Sequence, residues 1–343
     1  MAYTTIDKPS DHFETKIWTG NGSSQDISLD FAPDWIWIKQ RSATRYHNLQ
    51  DTIRGTGLQL FSNTTSADNS DGTNITAFNS DGYSLGAGDN VNKNTSTYVG
   101  WSWKAGGSAS SNSDGNITSS VSVNTTAGFS IVSYTGTGGG KTVGHGLGVA
   151  PRVFFMKNRG SADYNWSVWH ADLATPTTAR LGLNVATAQQ NHSSYWNDGV
   201  PSATILNLGS DAGHNANGDT YIAYCFAEKK GYSKFGTYEG NGIDDGPFIY
   251  TGFAPAFVMV KCFDQGEHWN IYDNKRGSSL ALSPNLEVAD RAMDDSPAME
   301  LLSNGFKIRT SDNNLSNAAD GFIYMAFAAE PFVTSKGVPA TAK

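Results

Sequence analysis

One pattern recurs three times along the chain, and its spacing restricts the fold to a tandem array of a single unit. The first copy opens with Trp18-Thr19-Gly20-Asn21-Gly22, runs through Phe31-Ala32-Pro33-Asp34-Trp35-Ile36-Trp37-Ile38-Lys39 and closes on Thr97-Tyr98-Val99-Gly100-Trp101. The second has Tyr134-Thr135-Gly136-Thr137-Gly138, Val149-Ala150-Pro151-Arg152-Val153-Phe154-Phe155-Met156-Lys157 and Thr220-Tyr221-Ile222-Ala223-Tyr224. The third has Tyr238-Glu239-Gly240-Asn241-Gly242, Phe253-Ala254-Pro255-Ala256-Phe257-Val258-Met259-Val260-Lys261 and Ile323-Tyr324-Met325-Ala326-Phe327. Pro33 precedes Tyr98 by 65 residues, Pro151 precedes Tyr221 by 70 and Pro255 precedes Tyr324 by 69, so the copies keep their internal geometry as well as their motifs. Solenoid units of about 20 to 50 residues cannot bury a core alone, whereas a unit of roughly a hundred residues can.

Side chains alternate along a strand, so Trp35-Ile36-Trp37-Ile38 places Trp on one face and Ile on the other. Both faces are apolar, which predicts a central strand; Val153 to Met156, Phe257 to Val260 and the closing strands read the same way. Asp81-Gly82, Asp114-Gly115 and Asn304-Gly305 supply turn signals between short antiparallel strands. Gly at 37, Pro at 11 and only 16% charged residues fit this reading. The expected fold is all-β: three tandem antiparallel β-sandwich modules of jelly-roll or lectin-like type. The expected organisation is an N-terminal arm over 1–16, module one over 17–107, a Gly/Ser/Asn-rich linker over 108–127, module two over 128–236, module three over 237–332 and a tail over 333–343. The linker reads as flexible, so module one is expected to pivot while modules two and three sit rigidly together. Helix-compatible pieces such as Glu287 to Met293 read as connectors.

A net charge of −8 offers no basic stripe to neutralise phosphates, which argues against nucleic acid and anionic membranes as partners. No apolar run approaches the roughly 18 residues of a membrane span. The first residues lack a basic region followed by an apolar one, so assembly in a cytoplasm is expected. Cys225 and Cys262 read as two small buried thiols rather than a disulfide, and the many Asn-x-Ser/Thr sequons read as by-products of composition.

Reactive constellations are sparse. Gly138-Gly139-Gly140-Lys141-Thr142 resembles the end of a phosphate-binding loop, but Thr135 stands where the motif needs Gly, and the stretch aligns with the plain turn of copy one. The histidines at 12, 47, 145, 170, 192, 214 and 268 show no metal-ligand spacing, with His47 and His268 near-equivalents beside a strand. Asp244-Asp245 and Asp294-Asp295 read as solvated loop charges, with a weak cation site as the lesser alternative. Neither a nucleophile elbow nor a matched Cys-His pair is present, so neither a catalytic residue nor a cofactor or metal is assigned. The sharpest shared polar element is Asp51-x-x-Arg54-Gly55, matched by Asp273-x-x-Arg276-Gly277; the second copy has Trp166-Ser167-Val168-Trp169-His170 there and lacks Arg-Gly. A charge-assisted pair at a turn, Asp51 with Arg54 and Asp273 with Arg276, reads as a structural pin whose loss costs about 1–3 kcal/mol.

The opening Ala2-Tyr3-Thr4-Thr5-Ile6-Asp7, the Trp-Thr-Gly-Asn-Gly start, Asp51-x-x-Arg54-Gly55, Phe78-Asn79-Ser80-Asp81-Gly82-Tyr83 and Tyr98-Val99-Gly100-Trp101-Ser102-Trp103-Lys104-Ala105-Gly106-Gly107 resemble the repeat domain of virion structural proteins of marine tailed bacteriophages, a tail-fibre-like family. The match is densest over residues 1–107. The resemblance implies a virion component, not an enzyme, and brings no catalytic residues with it. The expected role is a tail appendage or adhesin contacting the host surface, with a cell-surface glycan as the ligand class and other virion proteins as partners. The alternative is a capsid decoration, cement or adaptor protein, its arm and tail lying along a neighbour. A homo-oligomer is expected, a trimer by preference, because lone sheets leave edges to cover. Trp196, with Tyr195 and Asn197 in the polar loop Ser193 to Gly199, is the candidate for stacking on a sugar.

Overall fold

The computed structural model describes residues 3–277, 279–292 and 297–339. The chain is all-β and builds several antiparallel sheets. In repeat one, β1 (Phe13–Thr19), β2 (Gln25–Ser28), β3 (Trp35–Gln40), β4 (His47–Asp51), β5 (Leu58–Phe61), β6 (Asn69–Ser70), β7 (Ile75–Asn79), β8 (Gly82–Leu85) and β9 (Thr97–Trp103) form a main sheet ordered β1-β9-β3-β4-β5-β6 and a small sheet β2-β8-β7. Repeat two contains β10 (Ser110–Asn112), β11 (Ser119–Asn124), β12 (Phe129–Thr135), β13 (Lys141–Gly144), β14 (Val153–Asn158), β15 (Ser167–His170), β16 (Ala179–Gly182), β17 (Gln190–Asn191), β18 (Ile205–Leu208) and β19 (Thr220–Phe226). Its main sheet is β10-β11-β12-β19-β14-β15-β16-β17 and its small sheet β13-β18. Repeat three has β20 (Ser233–Glu239), β21 (Phe248–Tyr250), β22 (Phe253–Cys262), β23 (Asn270–Asp273), β24 (Leu280–Ala281), β25 (Arg291–Ala292), β26 (Met299–Leu302), β27 (Gly305–Ile308) and β28 (Gly321–Pro331). These give β20-β28-β22-β23, β21-β27-β26 and the pair β24-β25.

The two-faced strands send their side chains to different cores. Trp35 and Trp37 of β3 enter a cluster that also holds Val153 and Phe155 of β14 and Phe257 and Met259 of β22, so one core is shared by all three repeats. The alternate residues go the other way: Ile36 and Ile38, Phe154 and Met156, and Val258 and Val260 each enter a separate core with residues of their own repeat's small sheet. The shared core is largely aromatic. Trp35 stacks on Tyr224 at 4.3 Å, and Phe327 lies 5.2 Å from Phe13, 5.7 Å from Trp103 and 5.7 Å from Phe226. Each such fully buried side chain contributes about 1.5–3 kcal/mol of transfer free energy.

Several sequence expectations change here. Residues 108–127 are not a flexible linker: β10 and β11 extend repeat two's main sheet, and Ile117 and Val121 are buried. A strand with one face on a core needs an apolar residue only at every second position, which Val121 and Val123 supply within a polar stretch. Gly115 packs so close to Thr142 that a Cβ there would lie 2.5 Å from its carbonyl oxygen. Repeat one does not pivot, because its inner face is buried in the shared core. Residues 3–16 are not a free arm: Thr4 and Ile6 are buried, and β1 begins at Phe13, paired with Trp103 of β9. The expected boundaries at 16/17 and 236/237 fall inside β1 and β20. Tail residues 333–339 turn back through Thr334, and Ser335 bonds Asp7. Residues 340–343 lie outside the described residues.

Glu287 to Asp290 form irregular chain and Arg291–Ala292 a strand, so the expected helical connector is not helical over its described part. Among the described residues α-helix is confined to single turns at matching places before each closing strand, α1 (Asp89–Asn92), α2 (Ala212–Asn215) and α3 (Asn313–Ser316), with one 3-10 turn at Pro9–Asp11. Asp211 and Asp312 cap the latter two by accepting from Gly213 and Asn314 N–H.

Candidate functional site

The polar chemistry of the chain is concentrated where the repeats meet. Asp51 ends β4, and its carboxylate accepts from Arg54 N–H at 2.9 Å and from Arg54 Nε at 2.6 Å, with both side chains fully buried. Ile53 N–H donates to the same carboxylate at 3.1 Å, and a fourth donor comes from another repeat: Tyr224 Oη of β19 reaches Asp51 Oδ2 at 2.7 Å. Arg54 continues to Leu49 O at 2.9 Å and to Asp68 at 3.3 Å, and Asp68 pairs with Arg159 of repeat two at 2.7 Å. Burial by itself would lower the Arg54 pKa, but the Asp51 charge, Tyr224 and Asp68 outweigh it and raise it, so the guanidinium stays charged.

Repeat three makes the same arrangement toward repeat one. Arg276 Nε donates to Asp273 at 2.6 Å, and Trp101 Nε1 of β9 donates to the same carboxylate at 3.1 Å. Arg276 reaches Asp290 at 2.9 Å, and Asp290 pairs with Arg41 at 2.6 Å. The structure thus brings together both sequence-expected pairs, and each belongs to a joint between repeats as well as to its own turn. The neighbour's contribution was not visible from the spacing, because Tyr224 and Trp101 lie over a hundred positions from their partners.

At the joint from repeat two to repeat three, the register places His170 where Asp51 and Asp273 stand, opposite Val153 as they are opposite Trp35 and Phe257. Leu173 takes the Arg position and is buried, and Met325 lies in the β28 register of Trp101 and Tyr224. Burial pushes the His170 pKa down to about 4, and its Nδ1 accepts from Asp172 N–H at 3.1 Å. A cavity of about 10 Å³ lies beside it, lined among others by Phe155, Met259 and Met325. Matching backbone bonds run across all three joints: Asp68 N–H to Arg159 O at 2.9 Å, Gln189 N–H to Phe263 O at 2.7 Å and Asp290 N–H to Arg41 O at 2.8 Å. Repeat one therefore meets two, two meets three, and three returns to one.

A second repeated group escaped the sequence reading. Lys39, Lys157 and Lys261 stand one residue before the end of β3, β14 and β22 and are fully buried. Lys39 Nζ donates to Gln40 O at 2.7 Å and Ala43 O at 3.3 Å; Lys157 Nζ donates to Asn158, Ser161 and Tyr164 carbonyls at 2.8, 3.3 and 3.0 Å; Lys261 Nζ donates to Cys262 O and to Gln265 O at 3.2 Å. Burial lowers each amine to a pKa of about 8. Each amine gathers the carbonyls of the loop that follows its strand. The signal was present in the motif, since a Lys closes the apolar run in every copy.

Trp196 is not an exposed sugar platform. It is 1% exposed, donates Nε1 to Ala179 O at 2.7 Å, lies 4.4 Å from the His214 ring and meets Phe154 edge-on at 5.1 Å. The outer face of repeat two offers apolar surface, and a lone indole in a polar loop turns toward it. Tyr195 is likewise buried, with the Arg180 guanidinium 4.1 Å over its ring, while Asn197 is exposed at a left-handed φ of 52°. Of that trio only Asn197 reaches solvent freely.

The remaining candidates take structural places. Lys141 and Thr142 begin β13 and follow the Gly138-Gly139 turn, both glycines at positive φ, with no helix for a phosphate to cap. His47 accepts from Trp37 Nε1 at 3.0 Å inside β4. Asp245 pairs with Lys307 and Arg309, and Asp244 accepts from Ser311 N–H. Asp294 and Asp295 lie outside the described residues. Among the described residues no cluster of three metal-ligating side chains occurs, and no helix is long and apolar enough to cross a membrane. Cys225 and Cys262 are both buried and free, in different sheets.

No curated protein matches the sequence. One family model does, and it spans the three repeats and their joints as a single unit. Matched over residues 8–331, the chain belongs to the family described as a domain of unknown function, DUF7483.

Proposed function

We propose that the chain is a non-enzymatic structural protein of a bacteriophage virion, a tail appendage or adhesin whose three β-sandwich modules hold a rigid surface against a host-cell glycan. The observation that carries this reading is the placement of the reactive groups. The Asp–Arg pairs and the three amines are buried and engaged in holding repeats and loops, so they have neither access to a substrate nor a free valence for chemistry. What remains outward is loop surface rich in Asn, Ser, Thr and Gly, together with a few exposed rings. The resemblance of residues 1–107 to virion repeat domains supports the virion setting. The decoration or adaptor reading drew on a free arm, and residues 3–12 pack on their own chain instead, with Tyr3 donating to Gly252 O at 2.9 Å.

Fluorescently labelled protein titrated onto intact bacteria and envelope preparations tests the proposal. Saturable binding at micromolar concentration or below, removed by periodate oxidation of the surface glycans, is expected. Absence of binding across a panel of marine hosts, with many copies found on the capsid lattice by cryo-electron microscopy, would replace it with the decoration reading.

A further inference from the structure

β21 is the outer strand of repeat three's small sheet, paired with β27 alone. Its middle residue Ile249 is buried in the outer core, while Phe248 and Tyr250 point the other way and are 45% and 53% exposed. The other repeats serve as internal controls. Ile249 pairs with Phe306 as Ile27 pairs with Tyr83 in repeat one and Val143 with Leu206 in repeat two. Asp26 and Thr142 therefore stand where Phe248 does, and Ser28 and Gly144 stand where Tyr250 does. The strand needs an apolar side chain at its inward position only, and twice it manages with polar residues or glycine outside. The two outward rings in repeat three are not required by packing.

Both rings rest against glycines. A Cβ at Gly305 would come within 3.1 Å of the Phe248 ring, and one at Gly252 within 3.7 Å of the Tyr250 ring. A third ring comes from the N-terminal segment: Tyr3 Oη lies 3.1 Å from Tyr250 Oη, and the Lys230 ammonium sits 4.8 Å from the Tyr3 ring centroid. The patch thus offers ring faces with two phenolic hydroxyls between them.

We infer that Phe248, Tyr250 and Tyr3 form a glycan subsite, the rings stacking on the C–H faces of one or two sugar rings and the hydroxyls bonding their rims. The inference rests on the reading of this chain as a glycan-contacting protein. Size selects the occupant. The exposed parts of the rings amount to roughly 200–300 Å² by the usual area of an aromatic side chain, against about 800 Å² per partner for a stable protein interface. Such a patch suits a ligand the width of a sugar, and the hydroxyls match a ligand that carries hydroxyls of its own.

A printed array of bacterial surface oligosaccharides, followed by calorimetric titration of the strongest array binder, tests the subsite on the full chain. The Phe248→Asp/Tyr250→Ser variant carries repeat one's residues, and Phe248→Thr/Tyr250→Gly carries repeat two's; both should keep the wild-type melting temperature within a few degrees. Binding at least tenfold weaker in both, with Tyr3→Phe intermediate, is the expected result. Equal binding by wild type and both variants would overturn the subsite and leave the glycan reading standing. No array binding by the wild type would overturn both.

Discussion

Asp51 and Asp273 are carboxylates with no exposure, so their contribution to stability depends on every donor around them being in place. Removing Arg54 leaves Asp51 with Tyr224 and two turn amides, and an uncompensated buried charge costs about 3–5 kcal/mol. That exceeds the 1–3 kcal/mol expected from sequence, because the pairs are buried rather than partly exposed. Arg54→Ala and Arg276→Ala should each lower the unfolding free energy by about that amount in urea titrations, while Asp51→Asn/Arg54→Met should recover part of it. The buried amines make a different prediction, set by pH. Lys157 has a folded pKa of about 8, against about 10.4 when unfolded. Between those values the unfolded chain binds the proton and the folded chain does not, so stability rises with pH across that window. Cys225 and Cys262, pushed up by burial, act in the opposite sense over part of it, so the lysine effect is read against a variant. The difference in stability between wild type and Lys157→Met should move in favour of the wild type by about 1–2 kcal/mol from pH 8 to pH 9.5. A constant difference would show that the amine keeps an ordinary pKa.

Among the elements, β11 separates what composition says from what a strand needs. Its sequence, Ser119-Ser120-Val121-Ser122-Val123-Asn124, is polar enough to read as linker, yet it pairs with β12 from Ser120 to Asn124. Amide hydrogen exchange should find Ser120 and Ser122, whose amides face β12, protected to within about tenfold of the β12 amides opposite them; exchange at random-coil rates would restore the linker. The β3, β14 and β22 strands were legible because both of their faces are apolar, which marks a central strand whatever covers it. What covers the inner face was not legible, since the partners of Trp35 are Tyr224 and Phe226 of the next repeat, and no local pattern encodes them. The candidate site failed for a related reason. Trp196 looked exposed because its sequence neighbours are polar, but its place is set by Phe154 and His214, which are distant in sequence. The buried lysines are hard to read from sequence because Lys is almost never fully buried, and only the threefold recurrence speaks against that prior.

At the scale of the whole molecule, three similar inner faces could meet in more than one order, and the joints differ in a way that fixes it. The joints from one to two and from three to one bring an Asp–Arg pair to a neighbour that carries a donor, Tyr224 Oη or Trp101 Nε1. The joint from two to three brings His170 and Leu173 to Met325, which has no such donor. A mixture of the two arrangements costs more: Asp51 against Met325 would lose a hydrogen bond in a buried site, and Tyr224 against Leu173 would bury an unpaired hydroxyl. The closed arrangement of repeats gives each inner sheet face a partner within one chain, whereas the homotrimer was expected from sheet edges, and light scattering at micromolar concentration separates a monomer of 36.7 kDa from a trimer. The joints themselves can be tested by transplant. His170→Asp alone places a carboxylate beside Leu173 and Met325 without a partner and should destabilise by at least about 3 kcal/mol. Adding Leu173→Arg supplies the guanidinium, and adding Met325→Tyr supplies the donor that Tyr224 gives Asp51. If the joints are interchangeable units, the triple variant should be more stable than His170→Asp by at least about 2 kcal/mol, a coupling far outside the additivity of independent sites. If each joint is instead tuned by its wider surroundings, the three changes should simply add, and the triple variant should be the least stable of the series.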